Sequence, residues 1–382
     1  MNSDKTILVV SNTVPYPSFF GGAFDILERI KGLKKLGFTI HLICTYKEYP
    51  KLDTIKYLDT IVDELMLVKR KNNIKDLLSL IPLQVISRNK LIDIELKNNY
   101  RFTILESEYV GSILKNKTFK SEKIFLRIHN NEYLYFKELA KSTKNIFNKI
   151  YYYSDALKFK LYSKSIFTEA DRLWYISNKE IKTNHNINKS IHLPAAINDP
   201  FVTQELSNKT VLFVGSMFMK NNTEALDWYL KNVHTKLLHI KEYKLIIVGG
   251  TGDIKEAVFL KKYNNYSNTE CFFNVKNIKK HYQEGTIFIN PMLHGAGVKL
   301  KTINSIVNGL LLVSTSIGSE GIGLVPDDMY LLANNPESFC NAILSIFEMT
   351  QDQKQKIVLN AQNCLKKLNY LEILNQELNY EN

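Results

Sequence analysis

Short, unbroken apolar runs ending in glycine, serine or asparagine constrain this chain more than any other feature. Ile7-Leu8-Val9-Val10-Ser11, Val211-Leu212-Phe213-Val214-Gly215, Leu245-Ile246-Ile247-Val248-Gly249-Gly250 and Ile287-Phe288-Ile289-Asn290 are of this kind. A strand that is apolar on both faces must be covered on both, as in a parallel sheet between layers of helices. Longer segments with helical spacing separate the runs. Phe24, Ile26, Leu27, Ile30 and Leu33, closed by Gly37, form one of them. Further strands are expected near 38–44, 102–105, 124–127, 173–176, 191–193 and 310–314. The alternation predicts an α/β architecture with parallel sheets.

A length of 382 residues exceeds one typical domain and suits two. The strand series pauses between Pro194 and Pro200, where Asn198-Asp199-Pro200 reads as a turn or linker. Residues 1–196 are therefore expected to form one domain and 197–350 a second, with helices over 351–382 returning toward the first. Two such domains facing each other would leave a ligand cleft between them.

No apolar run approaches the roughly 20 residues needed to span a bilayer. Met1-Asn2-Ser3-Asp4-Lys5 leads into a strand without the layout of a signal peptide. Cys44, Cys271, Cys340 and Cys364 show neither metal nor disulfide spacing, so a cytoplasmic protein with free thiols is expected. The formal net charge of +12 invites an anionic partner. No nucleic-acid motif accompanies the lysines, and no nucleic-acid partner is expected. A peripheral contact with an anionic membrane surface fits the charge, with two candidate segments. One is 74–86, led by Lys69-Arg70-Lys71; the other is the aromatic run from Tyr151 to Phe167 with Lys149, Lys158, Lys160 and Lys164. Packing within the first domain is the other reading of those aromatics.

The stretch His294-Gly295-Ala296-Gly297-Val298-Lys299-Leu300-Lys301 carries the clearest chemistry. It follows an apolar strand and opens a helical pattern, with both lysines expected in the first turns of that helix. Unpaired N–H groups at a helix start attract phosphate, glycines let the backbone approach it, and lysines add charge. Val248-Gly249-Gly250-Thr251-Gly252 resembles a nicotinamide fingerprint only in part. Lys255 stands where its last glycine belongs, and no acidic residue closes a following strand, so a dinucleotide oxidoreductase is disfavoured.

Together these residues resemble the nucleotide-sugar-dependent glycosyltransferases of the retaining family-4 type. Those have the GT-B fold, two Rossmann-like doubly wound α/β domains. The resemblance rests on Phe213-Val214-Gly215-Ser216-Met217 with Asn221-Asn222, on Gly295 to Lys301, on 309–315, and on Gly318-Ser319-Glu320-Gly321-Ile322. In the first half, Pro15 to Gly22 resembles a glycine loop, and Arg127-Ile128-His129-Asn130-Asn131-Glu132 a strand-end histidine segment.

The resemblance implies transfer of a sugar, with retention, from a nucleoside-diphosphate sugar to a glycan or polyprenyl-linked acceptor in bacterial surface polysaccharide synthesis, capsule or lipopolysaccharide. It implies His129 and Lys299 as catalytic residues. It places Gly21, Gly22, Gly215, Ser216, Lys220, Gly295, Ala296, Gly297, Val298, Lys301, Asn304 and Glu320 at the donor. Two departures stand out. Ala296 and Asn304 occupy positions where the family carries two glutamates eight apart, and Ser216 and Met217 replace an arginine after Gly215. No Asp-x-Asp motif is present. Asp93-Ile94-Glu95 comes nearest, in a stretch expected to be helical, so neither metal nor cofactor is expected. The departing diphosphate would instead be stabilised by backbone amides, the helix dipole, Lys299 and Lys301. The alternatives are a GT-B protein that binds a glycan or partner without turnover, and a sugar-nucleotide epimerase.

Overall fold

The computed structural model describes residues 5–18, 21–71, 73–143, 145–181, 187–275, 277–295 and 297–379. The chain divides into two compact units. The first holds 22–198, the stretch before Phe19 and the C-terminal residues from Tyr370; the second holds 199–369, with Gly21 grouped with it.

The first unit carries β1 (Thr6–Ser11), β2 (Thr39–Tyr46), β3 (Glu64–Lys69), β4 (Tyr100–Leu105), β5 (Ser121–Ile128), β6 (Arg172–Tyr175) and β7 (Ser190–His192). They form one parallel sheet in the order β3-β2-β1-β4-β5-β6-β7. Ile7 lies beside Ile40 on one flank and Phe102 on the other, and all three are buried. The helix Gly21–Lys35 covers one face through Ile26, Leu27, Ile30 and Leu33.

The second unit repeats the plan with β8 (Thr210–Val214), β9 (Lys244–Gly249), β10 (Thr269–Phe273), β11 (Ile287–Asn290), β12 (Leu311–Ser314) and β13 (Leu331–Leu332). Its order is β10-β9-β8-β11-β12-β13, again parallel. Both sheets follow the 3-2-1-4-5-6 order of the Rossmann winding. In each, the winding direction reverses beside the first strand, between β1 and β4 and between β8 and β11. That reversal opens a crevice at the carboxyl ends of the strands, where such sheets bind ligands.

Two features differ from the expectations above. The C-terminal helices separate: Gln351–Lys366 belongs to the second unit, and only Tyr370–Leu378 returns to the first. There Tyr370, Leu374 and Leu378 join the core, and Trp174 Nε1 donates to Glu377 Oε2 at 3.1 Å. The segment from Pro194 is also no open linker. Pro194, Ala195 and Ala196 are buried, held by Asp25 and Arg127 as described below.

Candidate active site

In the second unit, loops from β8, β11 and β12 meet the start of the helix Leu300–Val307 at the crevice. Gly215 directly follows β8, and its N–H donates to Val248 O at 3.0 Å. A Cβ there would come within 3.1 Å of the Phe213 ring and 3.2 Å of the Asn222 side chain, so any other residue would have to push these neighbours aside. Ser216 is buried, and its carbonyl accepts from Asn222 Nδ2 at 3.0 Å.

After β11 the chain turns through Gly295 and Gly297, with φ of 124° and 78°, in the left-handed region that glycine alone adopts without strain. Ala296, between them, lies outside the described residues. Val298 is half-buried. Lys299 is the N-cap residue rather than a member of the first turn, because its backbone is still extended. Its buried side chain folds back, and Nζ donates to Gly297 O at 2.5 Å. Lys301 Nζ donates to Asn222 Oδ1 at 2.9 Å and sits 5.0 Å above the Phe213 ring. Burial, with help from Lys299, pushes the Lys301 ammonium down to about 7. Two amines and the free N–H groups of a helix start thus share one corner, a cradle for an anion.

Asn304 lies one turn further along the helix and is half-buried. Glu320, also half-buried, belongs to the loop after β12. Buried hydrogen bonds fix that loop to the cradle: Asn290 Nδ2 donates to Thr302 Oγ1 at 2.8 Å and Gly318 O at 2.9 Å, and Thr302 Oγ1 donates to Gly318 O at 2.8 Å. Lys220 opens the helix Lys220–Tyr229 on the surface, where it pairs with Glu224 at 3.2 Å. It therefore faces a carboxylate, whereas Lys301 faces none among the described residues.

The crevice of the first unit is lined differently. Gly21 and Gly22 begin the helix that follows the β1 loop, and the same helix presents Asp25 and Arg29. Asp25 Oδ2 accepts from Arg29 and from Arg127 Nε, the latter at 3.0 Å; Oδ1 accepts from the N–H of Ala196 at 3.1 Å. Arg29 Nε donates to Glu106 Oε1 at 2.6 Å. Arg127 also donates to the carbonyls of Leu193 and Pro194. All four charged side chains are completely buried, and their charges cancel. Burial alone would raise both acids, but Arg127 and Arg29 hold Asp25 far below the usual carboxylate range, and Arg29 holds Glu106 below it.

His129, just beyond β5, faces this network, with Nδ1 3.8 Å from Asp25 Oδ2 and Nε2 3.8 Å from Glu106 Oε2. Its Nε2 and Glu106 Oε2 are buried and make no hydrogen bond among the described residues. Asp25, Glu106 and His129 bring ligand atoms within 4.8 Å of one another, but this is a poor metal site. A cation there would compete with two guanidiniums already seated on the carboxylates.

Beside it lies a second buried group. Tyr109 Oη donates to Glu132 Oε2 at 2.6 Å, and Ser163 Oγ donates to Glu108. Burial raises Glu132 to about 7; burial and the neighbouring Glu132 raise Glu108 to about 8. Asp25, Arg29, Glu106 and Glu108 escaped the sequence reading. Their signal was present: Asp25 and Arg29 stand four apart within an apolar helix pattern, and two glutamates close the apolar run of β4. Asp93 and Glu95 occupy an exposed turn, not a helix. Two cavities, around Lys123 and Arg172 and around His41 and Tyr100, lie at the amino ends of the first sheet, away from the crevice.

The comparisons with known proteins agree with this winding. A family model described as glycosyl transferases group 1 matches residues 208–349. An uncharacterized 44.6 kDa protein in the cps region of Klebsiella pneumoniae is 37% identical over 366 residues, covering 93% of this chain and 94% of its own. Among solved structures, a glycosyltransferase from Rickettsia africae ESF-5 is 17% identical with a TM-score of 0.64, covering 99% of both chains. A mutant of S. aureus TarM in complex with Fondaparinux, alpha-GlcNAc-glycerol and UDP is 11% identical with a TM-score of 0.68, covering 98% of this chain and 99% of its own. Two Rossmann-ordered units in this arrangement of the chain define the GT-B class of fold. Within that class, the chain belongs to the group 1 glycosyl transferases.

Proposed function

We propose that this protein transfers a sugar from a nucleoside-diphosphate sugar to a glycan or lipid-linked acceptor, with retention of configuration and without a metal. The observation that carries the reading is the pair Lys299 and Lys301 beside a helix start, framed by Gly215, Gly295 and Gly297. Departure of a nucleoside diphosphate builds negative charge, and fixed N–H groups with buried amines stabilise charge most where water is excluded. In this reading the second unit takes the donor, Asn304 meets the ribose and Glu320 a sugar hydroxyl. The first unit takes the acceptor. His129, just beyond β5 and beside the Asp25 and Glu106 carboxylates, orients the reacting sugar or donates to it. The leaving phosphate takes the acceptor proton, so no enzyme general base is needed, and no strong enzyme nucleophile takes part. The relative in a cps region favours a role in capsule synthesis; in this reading the protein works on the cytoplasmic face of a membrane.

The test is thermal stabilisation by UDP, GDP, CMP and the corresponding nucleotide sugars, without metal. A ligand at 100 times its Kd adds roughly 2.7 kcal/mol, which is readily measured. A response to one nucleotide supports the reading and names the base; silence across the panel overturns it.

Asn304 in place of a carboxylate favours the second reading, binding without turnover. A transferase releases nucleotide slowly from its donor even without acceptor, and a pure binder releases none. Asn304→Glu is expected to tighten nucleotide binding by about fivefold, since an ionised acceptor strengthens hydrogen bonds to ribose hydroxyls by about 1 kcal/mol. Unchanged affinity in calorimetry would put the ribose elsewhere.

A further inference from the structure

The helix Ile146–Glu169 is apolar on two faces, and the described residues cover only one of them. Toward the core it buries Ala156, Phe159 and Ile166, with Phe159 stacked on Phe136 at a centroid distance of 5.2 Å. On the outward side, Ile146, Ile150, Leu157 and Leu161 are 60%, 62%, 61% and 72% exposed. Their spacing places them on a single stripe along the helix.

The segment Ile74–Leu78 and the residues after it lie alongside. Lys158 Nζ donates to Leu77 O at 3.1 Å, and the N–H of Leu83 donates to Asp155 Oδ2 at 3.1 Å. This segment exposes Ile74, Leu78 and Leu80 even more fully, at 81%, 88% and 91%. Single exposed leucines are ordinary, whereas adjoining rows of them mark a surface that something covers.

Charge decides what covers it. The apolar rows are bordered by Lys75, Lys149, Lys160 and Lys164, all exposed, with Lys69 and Lys71 just upstream. The acids nearby are few: Asp155 is buried, Glu138 is paired with Lys141 at 2.7 Å, Asp76 lies within the short segment and Glu169 ends the helix. A symmetric contact with a second copy would bring the lysine border against itself, and like charges disfavour it. A bilayer surface with anionic headgroups accepts both the leucines and the lysines.

We infer that the face formed by the outward stripe of the helix Ile146–Glu169 and the segment 74–80 is a docking surface for an anionic lipid bilayer. It belongs to the same unit as His129, and the helix Glu132–Ser142, which packs against the docking helix, begins three residues beyond that histidine. Docking therefore brings the candidate acceptor side to the plane where a lipid-linked acceptor resides. That consequence rests on the proposed function; the surface itself does not.

The experiment is flotation of the full-length protein with vesicles of phosphatidylcholine, alone or mixed with phosphatidylglycerol. The protein is expected to float with the mixed vesicles and be released by salt. Replacing Lys149, Lys160 and Lys164 together by Gln is expected to lower partitioning about 100-fold, at about 1 kcal/mol per lysine near an anionic surface. Leu78→Ser with Leu157→Ser is expected to abolish flotation while the thermal transition and the nucleotide response persist, which separates this result from failure of the donor reading. Absence of flotation by the folded intact protein overturns the inference. So does flotation indifferent to the lysine changes, and so does concentration-dependent dimerisation that the leucine changes remove, which would assign the face to a second copy.

Discussion

Among the described residues Lys301 is an ammonium without a carboxylate, enclosed by Asn222 and Phe213 and repelled by Lys299. With its pKa pushed down to about 7, it is charged at pH 6 and largely neutral at pH 8.5. An incoming diphosphate gains most from it when it is charged. The affinity for UDP, or whichever nucleotide the panel selects, is therefore expected to fall about tenfold between those pH values in calorimetry, the worth of one charge-assisted contact. Lys301→Arg is expected to flatten the profile, because guanidinium stays protonated throughout. Lys299 works from the cap position. Lys299→Ala is expected to reduce kcat/KM by more than about tenfold, the loss of one charged contact to a developing anion. Unchanged turnover would remove Lys299 from the site.

The helices Glu132–Ser142 and Ile146–Glu169 close over Glu108 and Glu132, two carboxyls held near neutrality by burial. Both pKa values are raised above the unfolded range, so the folded state binds more protons than the unfolded one between about 4.5 and 8. Their contribution to stability is therefore lost as pH rises through that window. Glu108→Gln is expected to be near neutral at pH 6 and to raise the melting temperature at pH 8.5, by at least about 2 °C for about 1 kcal/mol. Equal melting temperatures at both pH values would show that the carboxyl ionises freely.

The central strands of both sheets were legible in the sequence because burial on both faces writes an unbroken apolar run, as in β1, β8, β9 and β11. The edge strands β3, β10 and β13 were not. Glu64–Lys69 holds only the short run Leu65 to Val68 between two charged residues, Thr269–Phe273 begins with two polar ones, and Leu331–Leu332 is too short to carry a period. In the site, the glycine-lysine loop was readable because its chemistry is contiguous. The Asp25–Arg29–Glu106–Arg127 network was not, because three distant segments supply it and only the winding brings them together.

Across the whole molecule, the return of the last helix decides how the first unit is held. Leu374 is completely buried there among residues from β1 and its neighbours. Leu374→Ala is expected to cost about 2–5 kcal/mol of first-unit stability, seen as an early thermal transition, while the nucleotide response of the second unit persists. A single unchanged transition would mean that the helix is dispensable to that core. The same arrangement sets an order of events during synthesis. Residues 199–369 form one continuous stretch and can fold as they leave the ribosome. The first unit, though translated earlier, lacks Tyr370, Leu374 and Leu378 until the end. At about 5–20 residues per second, it waits roughly 9–34 s with that part of its core open. The half of the protein made first is thus the half completed last.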